Sequence, residues 1–430
     1  MKHSLAAMAL LVCGCAHYAP RPVSAEANAA ALAARTLDAP QVRALVEPAA
    51  GAWPPPQWTP ELLARAAVAL HPDLDVVRGQ WRAARAALRT AAERPNPSAS
   101  LGIEHKNEAQ PWTTTIALDL PMETAGKRGA RIDQARALSI AAAADVEQAI
   151  RDVRIRALTA AFDLGAAREL VRVRGDEVRL RDEIVSMLER RLAVGEAAQP
   201  EVTRVRADAR GSRLGLTEQQ TRVAEREAAL AAAIGIPREA LPPLRVAELE
   251  SGGAASALQK GLTERPDILA ALGRYDAAEA ALRLEVRRQY PDVHLGPGLG
   301  WDQGAFKWIV GATVELPLFN RHEGPIAEAE ARRELAGAQL LALQAQVLGV
   351  LESALASEAG ARERWSESER GVEQVRALVA SARRQFEAGE IDRLAMRTQE
   401  LELALAEAER WNAWLDVQRA RVAVEAASGG

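Results

Sequence analysis

Trp308-Ile-Val-Gly-Ala-Thr-Val-Glu-Leu-Pro317-Leu-Phe-Asn-Arg-His-Glu-Gly324-Pro325 decides how the rest of the chain is read. Trp308, Val310, Ala312, Val314 and Leu316 alternate with Ile309, Gly311, Thr313 and Glu315, which predicts a strand over about 308–316 with one apolar and one wetter side. Pro317 has no N–H to give and ends the ladder. Beyond Pro325 there is no further proline as far as Gly430, and Ala, Leu, Glu and Arg dominate, the composition of a long helix.

Working outward, the same junction occurs once before. Two alternating segments at about 98–105 and 112–120 read as a hairpin that Pro121 closes, and Gly126-Lys-Arg-Gly129 then opens a stretch free of proline until Pro200. As a helix that stretch would be roughly 95 Å long, and such a rod needs partners. The repetition is regular. Leu70-His-Pro72-Asp-Leu matches Glu264-Arg-Pro266-Asp-Ile, Asn96-Pro97 matches Tyr290-Pro291, and Val194-Gly195-Glu196 matches Ala388-Gly389-Glu390, all offset by 194 residues. Each copy therefore reads helix, strand, strand, long helix, turn, long helix. The first copy covers 58–234 and the second covers 262–426, with strands at about 292–301 and 308–316. Residues 235–261, rich in Gly and Pro, form a linker. Val372, Val375, Val379, Ala382 and Phe386 trace a coiled-coil seam, and the same offset selects Val178, Arg181, Val185, Leu188 and Leu192.

Composition agrees with an elongated helical body. Of 430 residues 48% are hydrophobic but only 4% aromatic, and Ala supplies much of the apolar content. The net charge of −4, with acidic and basic residues interleaved, leaves no basic stripe for nucleic acid. Cys13 and Cys15 are the two cysteines, so the body has neither a disulfide nor a zinc-cysteine site. Residues 1–14 read as a signal peptide. Val12-Cys13-Gly14-Cys15 resembles a bacterial lipobox with the lipid on Cys15, and Ala16 after it points to the outer membrane. Residues 15–57 are Ala- and Pro-rich and read as an extended lipidated tether.

No later segment is an uninterrupted apolar run of 18 residues, so a membrane crossing would have to be β-structure. Four strands of about nine residues have the right length for an outer membrane at a tilt. Four cannot close a barrel, however, and unpaired backbone groups in lipid cost several kcal/mol each. The chain is thus expected to oligomerise, and a trimer would supply twelve strands. Trp112, Trp301 and Trp308 lie near the hairpin loops, where an aromatic girdle belongs. By parity Glu104, Asp119, His294, Asp302 and Glu315 face the lumen and bias it toward cations.

The duplicated plan, Leu118-Asp-Leu-Pro121 with Gly126-Lys-Arg-Gly129, Val314-Glu-Leu-Pro-Leu-Phe-Asn-Arg321, and the two Gly-Glu turns resemble the TolC family of outer-membrane efflux proteins. The Gly-Lys-Arg and Pro-Leu-Phe-Asn-Arg wording is similar to its CzcC-like, heavy-metal branch. The resemblance spans about residues 58–425. It implies a mainly α fold with a small β part: long coiled-coil hairpins plus four strands of a shared barrel in a homotrimer. It also implies a passive export duct for metal cations or small toxic compounds, supplied by a periplasmic adaptor and an inner-membrane resistance-nodulation-division pump. The family's tip pattern fits Arg384, Ala388, Gly389, Glu390 and Asp392. It fits Arg191, Val194, Gly195 and Glu196 more loosely, because Gln199-Pro200 replaces the expected wording.

Enzymatic chemistry finds no support. His322-Glu323 lacks a second histidine four residues on, where Ile326 stands, and Gly296-x-Gly298-x-Gly300 has neither the spacing nor the helix of a dinucleotide site. No metal or cofactor site is expected. The alternative class is a non-conducting periplasmic adaptor or envelope spacer lipoprotein, which would carry one helical hairpin and not two with paired strands.

Overall fold

The computed structural model describes residues 17–107, 112–245, 261–302 and 304–429. The signal peptide, the lipobox with Cys13 and Cys15, four residues of the first hairpin loop and residues 246–260 of the linker lie outside the described residues. In chain order the elements are α1 (Ala25–Ala33), α2 (Pro40–Ala50), α3 (Pro60–Leu70), α4 (Asp73–Ala92), β1 (Ser98–His105), β2 (Trp112–Met122), α5 (Lys127–Ala193) and α6 (Gln199–Ile234). Then come α7 (Pro266–Arg288), β3 (Val293–Asp302), β4 (Ala305–Val314), α8 (Glu323–Glu387) and α9 (Arg393–Ser428).

The 67 residues of α5 and the 65 of α8 run about 100 Å each. Neither stands alone: α5 packs on α6, α7, α9 and α4, while α8 packs on α9 and α7. At one end the four strands form one antiparallel sheet in the order β1-β2-β3-β4. At the other, α5 turns into α6 and α8 into α9. Between them sits the main core, where Leu63, Leu74, Val153, Leu158, Leu230 and Ile234 surround Phe162. The Phe162 and Trp414 rings meet edge to face at 5.9 Å, which ties α9 to α5.

The N-terminal segment differs from its expected form. Residues 25–50 are largely helical, not an extended tether, and Leu37, Val42 and Val46 are buried in the main core. Val42 and Val46 are four apart, one helical step, and Pro40 opens α2 with its preset φ. Arg35 then donates to the carbonyl of Leu70 at 2.6 Å. The break at His71-Pro72 divides 60–92 into α3 and α4.

Strand bounds also shift. β2 continues through Pro121 to Met122, because β1 begins opposite Asp119 and leaves that edge of β2 without a neighbour. β4 covers Ala305–Val314, so it starts before Trp308 and stops before Glu315 and Leu316. Gly304, at φ +80°, makes a tight turn that lets pairing extend to Asp302 and Ala305.

The seam of the first hairpin is rotated from the one expected. Val173, Glu177, Leu180, Ile184 and Leu188 are buried along α5, and of the expected set only Leu188 is among them. The helix is covered by both α6 and α9, so its inner stripe faces between them. Along α8, Val372, Val379 and Ala382 are buried as the seam requires, whereas Phe386 is exposed.

Among the described residues one helix, α8, is long and apolar enough over part of its length to cross a membrane, with a mean hydropathy of 1.4 there. Only 17% of that part is buried, and Leu335, Leu341 and Val350 are exposed on the same helix. The stretch belongs to a continuous rod held on α9, where Leu351 and Ala354 pack on Val424 and Ala427.

Helices approach closely at Gly273 of α7, where an added Cβ would stand 3.1 Å from the backbone N of Ala141 on α5. Gly273→Leu is expected to cost about 1–3 kcal/mol by forcing the helices apart. Gly175, with nothing within 4 Å, should gain about 0.5–1 kcal/mol as Gly175→Ala. Thermal melts followed by helical circular dichroism should move in opposite directions for the two variants.

Candidate functional site

The sheet separates two chemistries. On one face the register lines up Leu101, Ile116, Leu299 and Trp308, then Ile103, Thr114, Trp301 and Phe306, then Leu120, Leu295 and Ala312. These side chains are bare: Val310 is 87% exposed, Trp308 77%, Leu101 65% and Ile103 63%. Exposed apolar area of this extent marks a surface that meets something other than water.

The opposite face is small and polar. Glu104 lies level with Thr113 and Asp302, and Asp119 with Ser98, while His294 neighbours Pro121 and Thr313. The structure brings His294 and Asp119 together, with Nδ1 3.0 Å from each carboxylate oxygen. Asp302 accepts from Lys307 at 2.6 Å and from Thr113 at 2.9 Å, so its charge is paired locally. Glu315 falls beyond the end of β4. Gly298 admits close approach, since a Cβ there would sit 3.0 Å from the carbonyl of Ile116. Lys307 escapes a sequence reading that starts the strand at Trp308; an earlier start places it across from Gly300 on the polar face.

Where sheet meets helices, the first junction is closed by hydrogen bonds. The hydroxyl of Thr124 donates to the carbonyl of Pro291 at 2.6 Å, and its N–H donates to Asp292 at 2.8 Å. Lys127, buried at the start of α5, also donates to Asp292 at 2.8 Å. Glu123 pairs with Arg131. Gly126, with φ +73°, caps α5, and His322, with φ +65°, caps α8.

The far end is formed by two turns of one design. The Glu196 N–H donates to Arg191 O at 2.8 Å and the Glu390 N–H to Gln385 O at 2.8 Å, while Gly195 and Gly389 take φ +78° and +79°. Val194, Ala388, Glu196 and Glu390 are exposed around them. Arg384 contributes its carbonyl, which accepts from the Ala388 N–H. Asp392 has two tasks. It caps α9 by accepting from the Ala395 N–H at 2.8 Å, and it pairs with Arg191 of the other turn. The Ala395 N–H and then the Arg191 guanidinium hold the Asp392 carboxyl below the usual carboxylate range. At the matching position in the first hairpin stands Ala198, which has no side chain to cap α6.

Deeper in the rods, charges are buried in pairs. Asp163 on α5 is 6% exposed and joins Arg419 of α9 at 2.8 Å and Arg226 of α6 at 3.0 Å. Glu177 accepts from Arg174, Arg181 and Ser212. Burial pushes its carboxyl up, but the three donors more than offset this and hold it low. Arg181, the exception in the expected seam, is there to serve Glu177. Among the described residues no group of three or more His, Cys, Asp or Glu could hold a metal ion.

The fold is thus an open sheet with one apolar and one polar face, mounted on long helical hairpins. The chain belongs to the outer membrane efflux protein family, whose sequence profile matches residues 63–236 and again 257–430. It is 27% identical over 252 residues to the cobalt-zinc-cadmium resistance protein CzcC of Cupriavidus metallidurans, covering 58% of this chain and 60% of that one. It is 28% identical over 285 residues to the pyoverdine export outer membrane protein OpmQ of Pseudomonas putida, covering 62% and 59%. The chain thus spans about three fifths of the curated relatives it matches. Among solved structures, the fold is similar to VceC of Vibrio cholerae (TM-score 0.70, 23% identity, 86% of this chain and 95% of that one). It is also similar to the outer-membrane channel OprN (TM-score 0.72, 20% identity, 97% and 98%).

Because the folded-state pKa of Asp392 is depressed, its contribution is complete above the unfolded value of about 3.9 and is lost as pH falls through the lower folded value. Asp392→Ala should weaken the start of α9 by about 1 kcal/mol, read as roughly fivefold faster amide exchange at Ala395. Asp392→Asn keeps the capping oxygen, and the protection of the Ala395 amide relative to its intrinsic rate should lose the acid dependence that the carboxyl gives it.

Proposed function

We propose that the chain is one protomer of a homotrimeric outer-membrane efflux duct. The observation that carries this reading is the sheet, whose apolar face is bare and whose β1 and β4 edges are unpaired. Three copies joined edge to edge would close a twelve-stranded barrel, satisfying every edge and turning the apolar face to lipid. The exposed stripe of α8, with Leu335, Leu341 and Val350, would be covered by the neighbouring copy in the same assembly. Cys15 would carry a lipid that fixes the N-terminal segment to the membrane.

In this reading Glu104, Asp119, His294 and Asp302 line the lumen, with Glu315 at its inner rim. The duct is passive, and a pump in the inner membrane supplies both energy and cargo through a periplasmic adaptor. The adaptor meets the turns around Arg191, Val194, Gly195, Glu196, Arg384, Ala388, Gly389, Glu390 and Asp392. One curated relative is named for cobalt, zinc and cadmium resistance and the other for pyoverdine export. The proposed cargo is accordingly a metal cation or a small toxic compound chosen upstream, and the polar face sets charge preference only.

Purified protein in planar bilayers should show steady conductance from a heat-labile trimer, and a trimer without conductance would refute the channel. Lys307→Gln frees the Asp302 carboxylate, so the reversal potential in a potassium chloride gradient should shift toward the potassium value. Ala388→Trp should abolish export in cells while leaving trimers and conductance intact; unchanged export would remove the adaptor from this turn.

A further inference from the structure

Each copy of the repeat fastens the end of its last helix in the same way. Leu70-His71-Pro72-Asp73, between α3 and α4, answers to Glu264-Arg265-Pro266-Asp267, which leads into α7. Gly235, at the end of α6, answers to Gly429, at the end of α9, again 194 residues apart. Both glycines are left-handed, with φ +85° and +84°. Each presses on the turn of its own copy: a Cβ on Gly235 would stand 3.3 Å from His71 Cα, and one on Gly429 2.9 Å from Arg265 Cγ. In both joints the last carbonyls of a helix, which have no partner within it, meet the residue that precedes the proline.

The donor to those carbonyls differs. In the second joint Arg265 supplies it, bonding the Ala426 and Ala427 carbonyls at 2.9 and 2.8 Å while Asp267 holds its guanidinium at 2.6 and 3.0 Å. Arginine keeps its charge throughout, so this joint is always closed. His71 does not act in this way. Its side chain is only 9% exposed, and Nδ1 accepts from the Asp73 N–H at 3.2 Å, which requires the neutral ring. The donor comes instead from the N-terminal segment, where Arg35 bonds the Leu70 carbonyl at 2.6 Å and the Gly235 carbonyl at 3.4 Å. Residues 17–34 are exposed, Arg35 is half-buried and Leu37 is buried, so Arg35 is where the outer arm of that segment is fastened.

We propose that the first joint is an acid-release catch: with His71 neutral, Arg35 bridges the ends of α3 and α6, and with His71 protonated, Arg35 and the arm 17–34 are expelled. Among the described residues the charged groups that face the ring are Asp73 on α4, Arg156 on α5 and Arg35 itself, while α6 presents Gly235. Protonation takes the lone pair from Nδ1 and leaves the Asp73 N–H without an acceptor. It also sets a new cation between two guanidiniums, and Asp73, which could offset it, is already engaged by Arg156 at 3.0 Å. Burial holds the His71 imidazole below its ordinary value; Asp73 opposes this, and Arg156 and Arg35 reinforce it. The tie is therefore complete above the unfolded value of about 6.5 and is lost as pH falls through the lower folded value. Val42 and Val46, buried in the core, keep α2 in place when the arm leaves. The catch needs one chain only and stands apart from the trimer.

Amide exchange of the full-length protein, corrected for intrinsic rates, reads the catch at Asp73 and at Arg35, whose N–H donates to the Leu32 carbonyl. From about pH 8 to about pH 5 protection at both should fall, by up to about tenfold per pH unit for a single proton. Leu269, bonded to the Arg265 carbonyl in the second joint, should keep its protection. His71→Asn retains an acceptor for the Asp73 N–H without a charge, and its profile should be flat. His71→Arg should leave the arm unprotected at every pH, as should Arg35→Gln. A flat wild-type profile overturns the catch, and so does the same acid loss in His71→Asn or a parallel loss at Leu269. If neither His71 variant folds, Arg35→Gln decides: an arm as well protected without the guanidinium as with it overturns the proposal.

Discussion

An unpaired strand edge cannot rest in hydrocarbon, and that prohibition governs this chain. Each backbone group without a partner there costs several kcal/mol, so a four-stranded sheet with two open edges is only part of a membrane structure. The duplication works within this rule. By placing two equivalent hairpins side by side, the chain makes the β2–β3 contact internally and leaves β1 and β4 as the edges of the sheet. The helices obey a related constraint: rods of about 100 Å have too little girth for a thick core and bury narrow stripes against several neighbours instead.

Those stripes explain the use of buried charge. Asp163 and Glu177 sit inside helix contacts where a purely apolar stripe of Ala and Val would fix rotation poorly. A carboxylate held by arginines from two other helices can be satisfied in only one arrangement, at the cost of desolvating it. At the middle, Trp414 meets Phe162 on one side and Trp411 on the other, both edge to face, and the N-terminal helices close over the core.

Much of this was legible because turns and strand ends obey local rules. Gly195 and Gly389 mark the places where the backbone changes course, and alternation identified the two faces of the sheet. What escaped depends on distant partners. The segment 25–50 looked unstructured by composition, and only its packing on α3 within the main core makes Val42 and Val46 core residues. The buried stripe of α5 could not be copied from α8, because α5 has helices on two sides. The pairing of His294 with Asp119 and of Lys307 with Asp302 depends on strand register, which parity alone leaves open.

The repeat is also less exact at its far end than its sequence wording suggests. One turn leads into a helix capped by Asp392; the other leads into a helix that begins at Ala198 and Gln199-Pro200 with no capping side chain. A ring of three such chains would present six turns of two kinds in alternation, one followed by a capped helix start and one by an uncapped one. Its end would have the outline of a hexagon but the mechanical symmetry of a triangle. A partner that engaged all six turns would meet two stiffnesses, and thermal opening would begin at every second corner.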